Sequence, residues 1–363
     1  MAYRTRSRSA RSADERPAGA TVRIGPLTPI PAVLRELGFA PEPLLRAAGF
    51  DLSCFDDADL TISYLAGGRL LAHCVAATGC DHFGLRVGMR GDAALLGLTG
   101  FLVMSAGDVG GALDDLVRHL DLGDTGGVPY VETAGERSVL AFALVDPATP
   151  AVDQIYDLSM AVACNLMRAL CGPRWSPTEV LLPRSRPPDP TPWAQFFRAP
   201  VRFGAGSAAV VFPARWLAVA VPTANAHLHR HFEREAAQRH RERATSFADE
   251  VRRIVSTSLA RGKCTVTRVA ALLGMHARTL NRRLVVEGTT FKALRDDIRY
   301  EMSRQLLGRT AMTLGEIATA LGYAEGSVFL RAFARWSGRT PQQWRDAQPP
   351  TAAMRPARSN GRA

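Results

Sequence analysis

Long apolar runs are absent from this 363-residue sequence: no stretch approaches the roughly 18 consecutive apolar residues that a membrane-spanning helix needs. The N-terminus is rich in Arg and Ser and lacks the apolar segment of a secretory signal. Cysteine is sparse, and none of the six residues stands in a C-x-x-C pair. Scattered thiols of this kind are typical of reduced, buried side chains. We therefore expect a cytoplasmic protein without a membrane partner.

Catalytic motifs are missing as well. The sequence has no G-x-x-x-x-G-K-[ST] phosphate loop, no G-x-S-x-G nucleophile turn and no H-E-x-x-H pair. The Gly-rich segment "GDTGG" at 123–127 lacks the strand–turn–helix context of a nucleotide loop, so we interpret it as a flexible turn before a hairpin. The sequence predicts no catalytic residue, no cofactor and no enzymatic activity.

Two groups of residues could bind a metal. One group consists of His73, Cys74, Cys80 and His82. The other is the H-x-H-x-H run of His227, His229 and His231, whose outer two members could chelate across one helical turn. Neither has a standard zinc spacing, so buried thiols and a polar helix are the favoured interpretations, and we expect no metal.

Charge is unevenly distributed along the chain. Residues 1–23 hold six Arg and two acidic residues, a net +4, whereas residues 24–227 hold 14 Arg and 20 acidic residues, a net −6. Residues 228–345 hold 22 Lys and Arg against 11 acidic residues, a net +11. The C-terminal part is therefore expected to bind a polyanion.

These shifts in composition predict five segments. Residues 1–21 and 347–363 are expected to be disordered tails, the first rich in Arg and Ser. Residues 22–228 alternate amphipathic helices with a hairpin and short strands, which indicates an α+β domain with a mixed or antiparallel sheet. Residues 229–245 are polar and basic and are interpreted as a solvated linker helix. Residues 246–346 follow helical periodicity throughout and predict an all-α domain.

A helix-turn-helix unit is predicted in "TVTRVAALLGMHARTLNRRLVVEG", residues 265–288. Gly274 supplies the positive φ of the turn between two short helices. The second helix buries Leu280 and Leu284 at i, i+4. Asn and Arg can each form paired hydrogen bonds with purine edges in the major groove. The predicted DNA-contacting side chains of this helix are Arg278, Asn281, Arg282 and Arg283.

The same pattern recurs in "TLGEIATALGYAEGSVFLRAFARWSG", residues 313–338. Thr313 and Glu316 form a capping box, Gly322 makes the turn, and the second helix buries Phe329 and Phe333. Its predicted DNA-contacting side chains are Ser327, Leu330, Arg331 and Arg335. A helix between the two units would span roughly 27 Å, which suits two major-groove segments about 34 Å apart on one face of double-stranded DNA.

The segment "GEIATALGYAEGSVFLRAFARWSGRTPQQWR" resembles the signature of AraC/XylS-type transcription regulators, and the resemblance extends over residues 246–345. Upstream, "VLRELGFAPEPLLRAAGF" and "FFRAPVRFGAGSAAVVFPARWLAVAVPTANAHL" are similar to the arabinose-binding-type sensor of one AraC branch. The resemblance implies a homodimer that responds to a small-molecule effector, with RNA polymerase as a further partner. It singles out no effector-binding residue. His276 and Ala324 depart from the family, which has capping residues at these helix starts.

Three hypotheses follow. The first is an effector-controlled regulator that binds specific DNA sequences. The second is a DNA-tethered enzyme, or a redox or metal sensor, that uses Cys and His residues of the first domain. The third is a constitutive DNA-binding protein whose first domain only dimerises.

Overall fold

The computed structural model describes residues 20–144, 149–243, 246–260, 264–309, 313–323 and 325–347. Residues 1–19 and 348–363, where we predict disordered tails, lie outside the described residues. The strands are β1 Thr21–Arg23, β2 Thr61–Ser63, β3 Gly127–Ala134, β4 Arg137–Leu144, β5 Glu179–Leu182, β6 Val201–Phe203 and β7 Ala208–Pro213.

The helices of the described segments follow in chain order. They are α1 Ile30–Glu36, α2 Pro41–Ala47, α3 Tyr64–Thr78, α4 Phe83–Gly88, α5 Leu98–Ser105, α6 Val109–His119, α7 Val152–Cys171, α8 Thr191–Phe197, α9 Ala226–Arg243, α10 Phe247–Ala260, α11 Val266–Leu272, α12 Ala277–Val286, α13 Phe291–Arg309, α14 Leu314–Ala320, α15 Gly326–Ser337 and α16 Pro341–Asp346. Short 3-10 helices add Gly25–Leu27, Leu52–Phe55, Ala93–Leu96, Leu120–Leu122 and Ala214–Ala218.

A five-stranded sheet in the order β3-β4-β7-β5-β6 organises the N-terminal part. Its neighbours are antiparallel except β5 and β6, which are parallel. Side chains alternate across a strand, so Leu140 and Phe142 of β4 join the main core while Ala141 packs on the other face. Helices α3, α4 and α7 cover the main core, which confirms the predicted α+β class with a mixed sheet.

The segment Thr61–Ser63 differs from the sequence prediction. The helical pattern of "TISYLAGGRLLAHCVAATG", residues 61–79, predicts that this segment opens a helix, but it forms β2, which pairs antiparallel with β1. Ser63 ends the strand and caps α3, because its side-chain oxygen accepts a hydrogen bond from the Ala66 N–H. The two residues before this cap, Thr61 and Ile62, are β-branched and favour extended backbone.

Helix α9 is a helix as predicted, but the interpretation that it is solvated is wrong for one of its faces. Ala236 is fully buried against Leu102 and Leu122 of the N-terminal part. Phe232 stacks on Phe101 of α5 with ring centroids 5.4 Å apart. Only two apolar side chains, at i and i+4, form this contact, so the stripe is too narrow to stand out in a basic sequence.

The C-terminal part is all-α, as predicted, and contains two small cores joined by α13. The first core unites α10, α11 and α12 with Phe291, Leu294 and Ile298 at the start of α13. The second unites α14 and α15 with Leu307 near the end of α13. Each core is built largely from one trihelical unit, and Met302 of α13 packs against both.

Candidate nucleic-acid interface and apolar cavity

The first predicted unit folds as two helices around a tight turn. Thr265 caps α11 by accepting a hydrogen bond from the Arg268 N–H. Gly274 has φ +63°, a left-handed conformation that disfavours side chains with a Cβ. Leu280 and Leu284 bury one side of α12.

The second unit repeats this geometry. Thr313 and Glu316 form the predicted capping box at the start of α14. Gly322 has φ +71°, close to the value at Gly274. Phe329 and Phe333 bury one side of α15 in the second core.

The outward side of α12 carries free polar groups. Arg278, Asn281 and Arg282 are exposed and make no hydrogen bond or ion pair with the described residues. Val285 and Val286 lie near them and are 63% and 83% exposed. The surface therefore combines hydrogen-bond donors with methyl groups, a mixture that can contact base edges and thymine methyls.

Arg283 is placed differently from its three neighbours. Its guanidinium carbon lies 4.0 Å from the centroid of the Phe247 ring at the start of α10. Although Arg283 is exposed, this stacking orients it toward α10 rather than along the outward side of α12.

On α15, Ser327, Leu330 and Arg331 are exposed. Ser327 donates a hydrogen bond to Glu325 at 3.3 Å, whereas Arg331 makes no hydrogen bond or ion pair with the described residues. Arg335 is also exposed but donates to Asp296 of α13 at 3.2 Å. Arg335 therefore links α15 to α13.

Helices α12 and α15, the two predicted recognition helices, both start without a side-chain cap. His276 occupies the cap position of α12 and makes no capping hydrogen bond. The cap position of α15 belongs to Glu325, which also makes none, whereas Ala324 lies outside the described residues. The backbone N–H groups in the first turn of each helix therefore receive no side-chain acceptor from the cap position. Such groups can bind an anion such as a phosphate oxygen.

Two residues that join separate elements of the C-terminal part were not found by sequence reasoning. Arg299 of α13 is 9% exposed and donates to the carbonyls of Leu321 and Gly322 at 3.0 and 3.1 Å. Glu287, just after α12, accepts hydrogen bonds from the N–H groups of Phe247 and Ala248 at 2.8 and 2.7 Å. No apolar period marks such residues, because each acts through backbone groups far along the chain.

The N-terminal part contains an apolar cavity between the sheet and its helices. It encloses about 870 Å³ of empty space, including space at its opening. The walls come from α3, α6, α7, β3, β4 and the segment around β1, and they are almost entirely aliphatic or aromatic. The polar side chains among the lining residues are Tyr64, Asp124 and Ser159.

The Gly-rich segment 123–127, interpreted from sequence as a flexible turn, is fixed by hydrogen bonds beside this cavity. The Asp124 carboxylate accepts from the N–H groups of Gly126 and Gly127 at 2.9 and 2.8 Å. A Cβ at Gly126 would overlap the Tyr64 ring, and one at Gly127 would overlap Phe142. Burial, the largest cause, raises the pKa of Asp124 to about 6.

Three cysteines of the N-terminal part, Cys74, Cys164 and Cys171, offer little reactivity. Burial raises the pKa of Cys74 and of Cys171 to about 12, and that of Cys164 to about 11. The thiolate is the reactive form, so these values disfavour nucleophilic or redox chemistry at neutral pH. In the described segments, no three of His73, Cys74, Cys80 and His82 come close enough to share a metal.

A different His and carboxylate group lies where α9 meets α6. His229 Nε2 is 2.7 Å from the buried Asp115 Oδ2, and His229 Nδ1 is 3.9 Å from Glu233. Potential ligand atoms of these three residues lie within 4.8 Å of one another, so they could hold a cation. Of the H-x-H-x-H run, the structure thus brings the middle histidine to carboxylates.

Family comparisons agree with this arrangement. A model of the arabinose-binding domain of AraC transcription regulators matches residues 38–221, and a helix-turn-helix domain model matches residues 269–347. The chain belongs to the AraC family of transcription regulators. It is a DNA-binding regulator, as the helix-turn-helix geometry and the family both indicate.

Relatives within the AraC family align over most of the chain. The HTH-type transcriptional regulator VirS of Mycobacterium tuberculosis is 26% identical over 90% of this chain and 97% of its own. The ornithine utilization regulator of Pseudomonas aeruginosa is 25% identical over 87% and 93%. The crystal structure of the regulator CdpR from Pseudomonas aeruginosa covers 89% of this chain and 98% of its own, with 22% identity and a TM-score of 0.43. No described helix of this AraC-family chain is long and apolar enough to cross a bilayer.

Proposed function

We propose that this protein is a cytoplasmic, homodimeric regulator that binds specific sequences of double-stranded DNA under the control of a small-molecule effector. In this proposal residues 22–228 sense the effector and dimerise, residues 229–245 link the domains, and residues 246–346 bind DNA. The observation that carries it is that α12 and α15 each bury one side in a separate core and leave Arg, Asn or Ser on the other.

The length of α13 supports a contact with two groove segments. Its 19 residues correspond to about 28 Å at 1.5 Å per residue. Successive major-groove segments on one face of DNA lie about 34 Å apart. Arg299 and the Arg335–Asp296 pair join the second unit to α13, which favours a defined spacing of the two recognition helices.

Within this surface, Arg278, Asn281 and Arg282 are proposed to contact one half of a DNA site, with Ser327, Leu330 and Arg331 contacting the other. Arg283 and Arg335 already have partners within the domain, so they are proposed to contact phosphate from the edges of the surface. Gly274 and Gly322 are proposed as the turn positions on which both orientations depend.

Footprinting on the DNA upstream of the protein's own gene and its neighbours tests the proposal. Each subunit of the wild-type dimer should protect two segments about ten base pairs apart on one face. Arg278→Ala should weaken protection of one segment and Arg331→Ala that of the other. Arg46→Ala, which removes an exposed charge from α2, should leave both unchanged. Loss of both segments together in each variant would contradict separate contacts.

Effector control is supported by the cavity in the arabinose-binding-type domain and by the contacts of that domain with α9. A ligand that binds the folded state raises the melting temperature. A true effector should do so and also change the affinity for the footprinted DNA. A ligand-independent affinity across a broad metabolite panel would favour a constitutive regulator.

A further inference from the structure

The cavity differs in chemistry from the pocket that a sugar or an amino acid requires. Its walls are apolar apart from Tyr64, Asp124 and Ser159, and none of the described lining residues is Arg or Lys. A polyhydroxylated ligand would lose many hydrogen bonds to water and regain few. An amino acid or fatty acid would bring its carboxylate into a cavity whose only charged lining group is itself a carboxylate.

Asp124 is the strongest polar feature of the cavity. One carboxylate oxygen, Oδ1, is occupied by the N–H groups of Gly126 and Gly127. Among the described residues, the other oxygen, Oδ2, accepts a hydrogen bond only from the Tyr64 hydroxyl, at 3.3 Å, so it retains acceptor capacity. The described groups that shift the pKa of Asp124 are the N–H groups of Gly126 and Gly127 and the Tyr64 hydroxyl, and none of them is a cation.

Backbone contacts hold the loop around Asp124 in place. The backbone of Asp124 pairs with Val22 in an antiparallel bridge, and the Thr125 N–H donates to the Thr21 carbonyl at 2.8 Å. Glycines at 126 and 127 let the rings of Tyr64 and Phe142 lie directly on the loop. A carboxylate held this firmly at an apolar wall can act as a fixed acceptor for one group of a ligand.

We propose that the cavity binds an apolar molecule with a single hydrogen-bond-donating head group, an alcohol or an amine, which donates to Asp124 Oδ2 while its hydrocarbon part fills the cavity. This rests on the proposed effector control and names the chemical class of the effector. Each methylene that enters the cavity should tighten binding about fourfold, until the space is filled.

Calorimetry on the full chain with three matched probes tests this class. Octanol, octylamine and nonanoate share one octyl chain and differ only in the head group. Octanol or octylamine should bind at least about tenfold more tightly than nonanoate, because only the donors can use Asp124. Hexanol should bind more weakly than octanol. Equal affinity for all three head groups, or a preference for nonanoate, would overturn the proposal.

Two variants assign the selectivity to Asp124. Asp124→Asn keeps an oxygen for the glycine N–H groups but presents an amide donor in place of the second oxygen. It should reduce or reverse the preference of the chain for octanol and octylamine over nonanoate. Of the two hydroxyls that line the cavity, Tyr64 bonds to Asp124 and Ser159 does not. Ser159→Ala should therefore leave the head-group preference unchanged, as should the surface change Asp51→Asn. A preference that follows Ser159 instead of Asp124 would contradict the assignment.

DNA-binding measurements separate this proposal from the proposed function. If octanol or octylamine binds as expected and leaves DNA affinity unchanged, the ligand class stands and effector control fails. If no member of the series binds while a polar metabolite changes DNA affinity, effector control stands and the ligand class is overturned.

Discussion

At the residue scale, we expect Asn281 and its arginine neighbours to contribute differently to DNA binding. An amide side chain offers a donor and an acceptor together, and it matches the adenine edge in the major groove. A guanidinium that contacts phosphate is indifferent to sequence. Asn281 is exposed between Arg278 and Arg282, so base recognition and phosphate contact can alternate along one helix.

Asn281→Ala should reduce discrimination at one base pair by about 1–3 kcal/mol, because it removes a paired hydrogen bond to one base. Competition binding with a set of singly substituted operators measures this. Arg304→Ala, a change of an exposed residue on α13, provides the control. A uniform loss of affinity for cognate and scrambled DNA would instead assign Asn281 to the backbone.

Asp124 makes stability depend on pH. Burial raises its folded-state pKa to about 6, above the unfolded value of about 3.9. The folded state therefore retains a proton that the unfolded chain has released, and the free energy of unfolding falls as pH rises from about 4 to about 6. The contribution is full below the unfolded pKa and lost above the folded one.

Asp124→Asn should remove this part of the pH dependence. The difference between the folded and unfolded pKa values corresponds to roughly 2–3 kcal/mol of unfolding free energy. Urea unfolding of both proteins between pH 4 and pH 7 measures it, and their difference in unfolding free energy should vary with pH in that window. Parallel curves would rule out the raised pKa.

At the element scale, the start of α10 and the end of α12 are joined by one carboxylate. Glu287 follows α12 and accepts from the first two N–H groups of α10. Negative charge at a helix N-terminus is favourable because the first turn has unpaired donors. The first core is thus closed by a polar contact as well as by its apolar side chains.

Glu287→Ala should lower the free energy of unfolding of the first unit by about 1 kcal/mol, the usual cost of a lost helix cap. Glu301→Ala, a control at an exposed carboxylate of α13, should have little effect. Hydrogen exchange at the first turn of α10 should accelerate in the first variant alone. Unchanged exchange there would show that the cap adds nothing.

Periodicity in the sequence predicted those elements that bury a broad face. Leu280 and Leu284 of α12, and Phe329 and Phe333 of α15, stand at helical spacing and are fully buried. Strand Thr61–Ser63 was missed because three residues are too few for a period, and its pairing with β1 is a tertiary effect. Arg299 and Glu287 bind backbone groups more than 20 residues away, which no local pattern encodes.

The cavity could not be predicted from the sequence for a similar reason. Its lining residues come from several helices, two strands and the chain around β1. Segment 123–127 was recognised only as a turn, because its rigidity depends on contacts of Asp124 with its own loop, of Tyr64 with Gly126 and of Phe142 with Gly127. Such contacts exist only once distant segments have packed.

At the scale of the whole molecule, α9 joins the two functional parts. It packs on α5 through Phe232 and on the 3-10 helix Leu120–Leu122 through Ala236. His229 shares a hydrogen bond with Asp115 of α6. Burial raises the pKa of Asp115, and His229 offsets part of this increase. Leu116 of α6 and Leu120 line the cavity, so cavity and linker helix share the same supports.

Phe232→Ala should therefore weaken the response of DNA affinity to a cavity ligand while leaving ligand binding and ligand-free DNA binding close to wild type. Titrations of DNA with and without ligand measure the response. Arg241→Ala, an exposed change on the same helix, is the matched control. A full response in Phe232→Ala would show that the signal travels by another route.

The docked helix α9 also sets a length scale for regulation. Its 18 residues form a rod of about 27 Å whose far end leads into the DNA-binding domain. Phe232 lies 11 residues, or about 16 Å, before that end, so a tilt of roughly ten degrees where Phe232 meets Phe101 would displace it by about 3 Å, close to the 3.4 Å rise of one base pair along a strand. In the proposed homodimer, an adjustment of one aromatic contact would thus shift the attached DNA-binding domain by nearly one base-pair step.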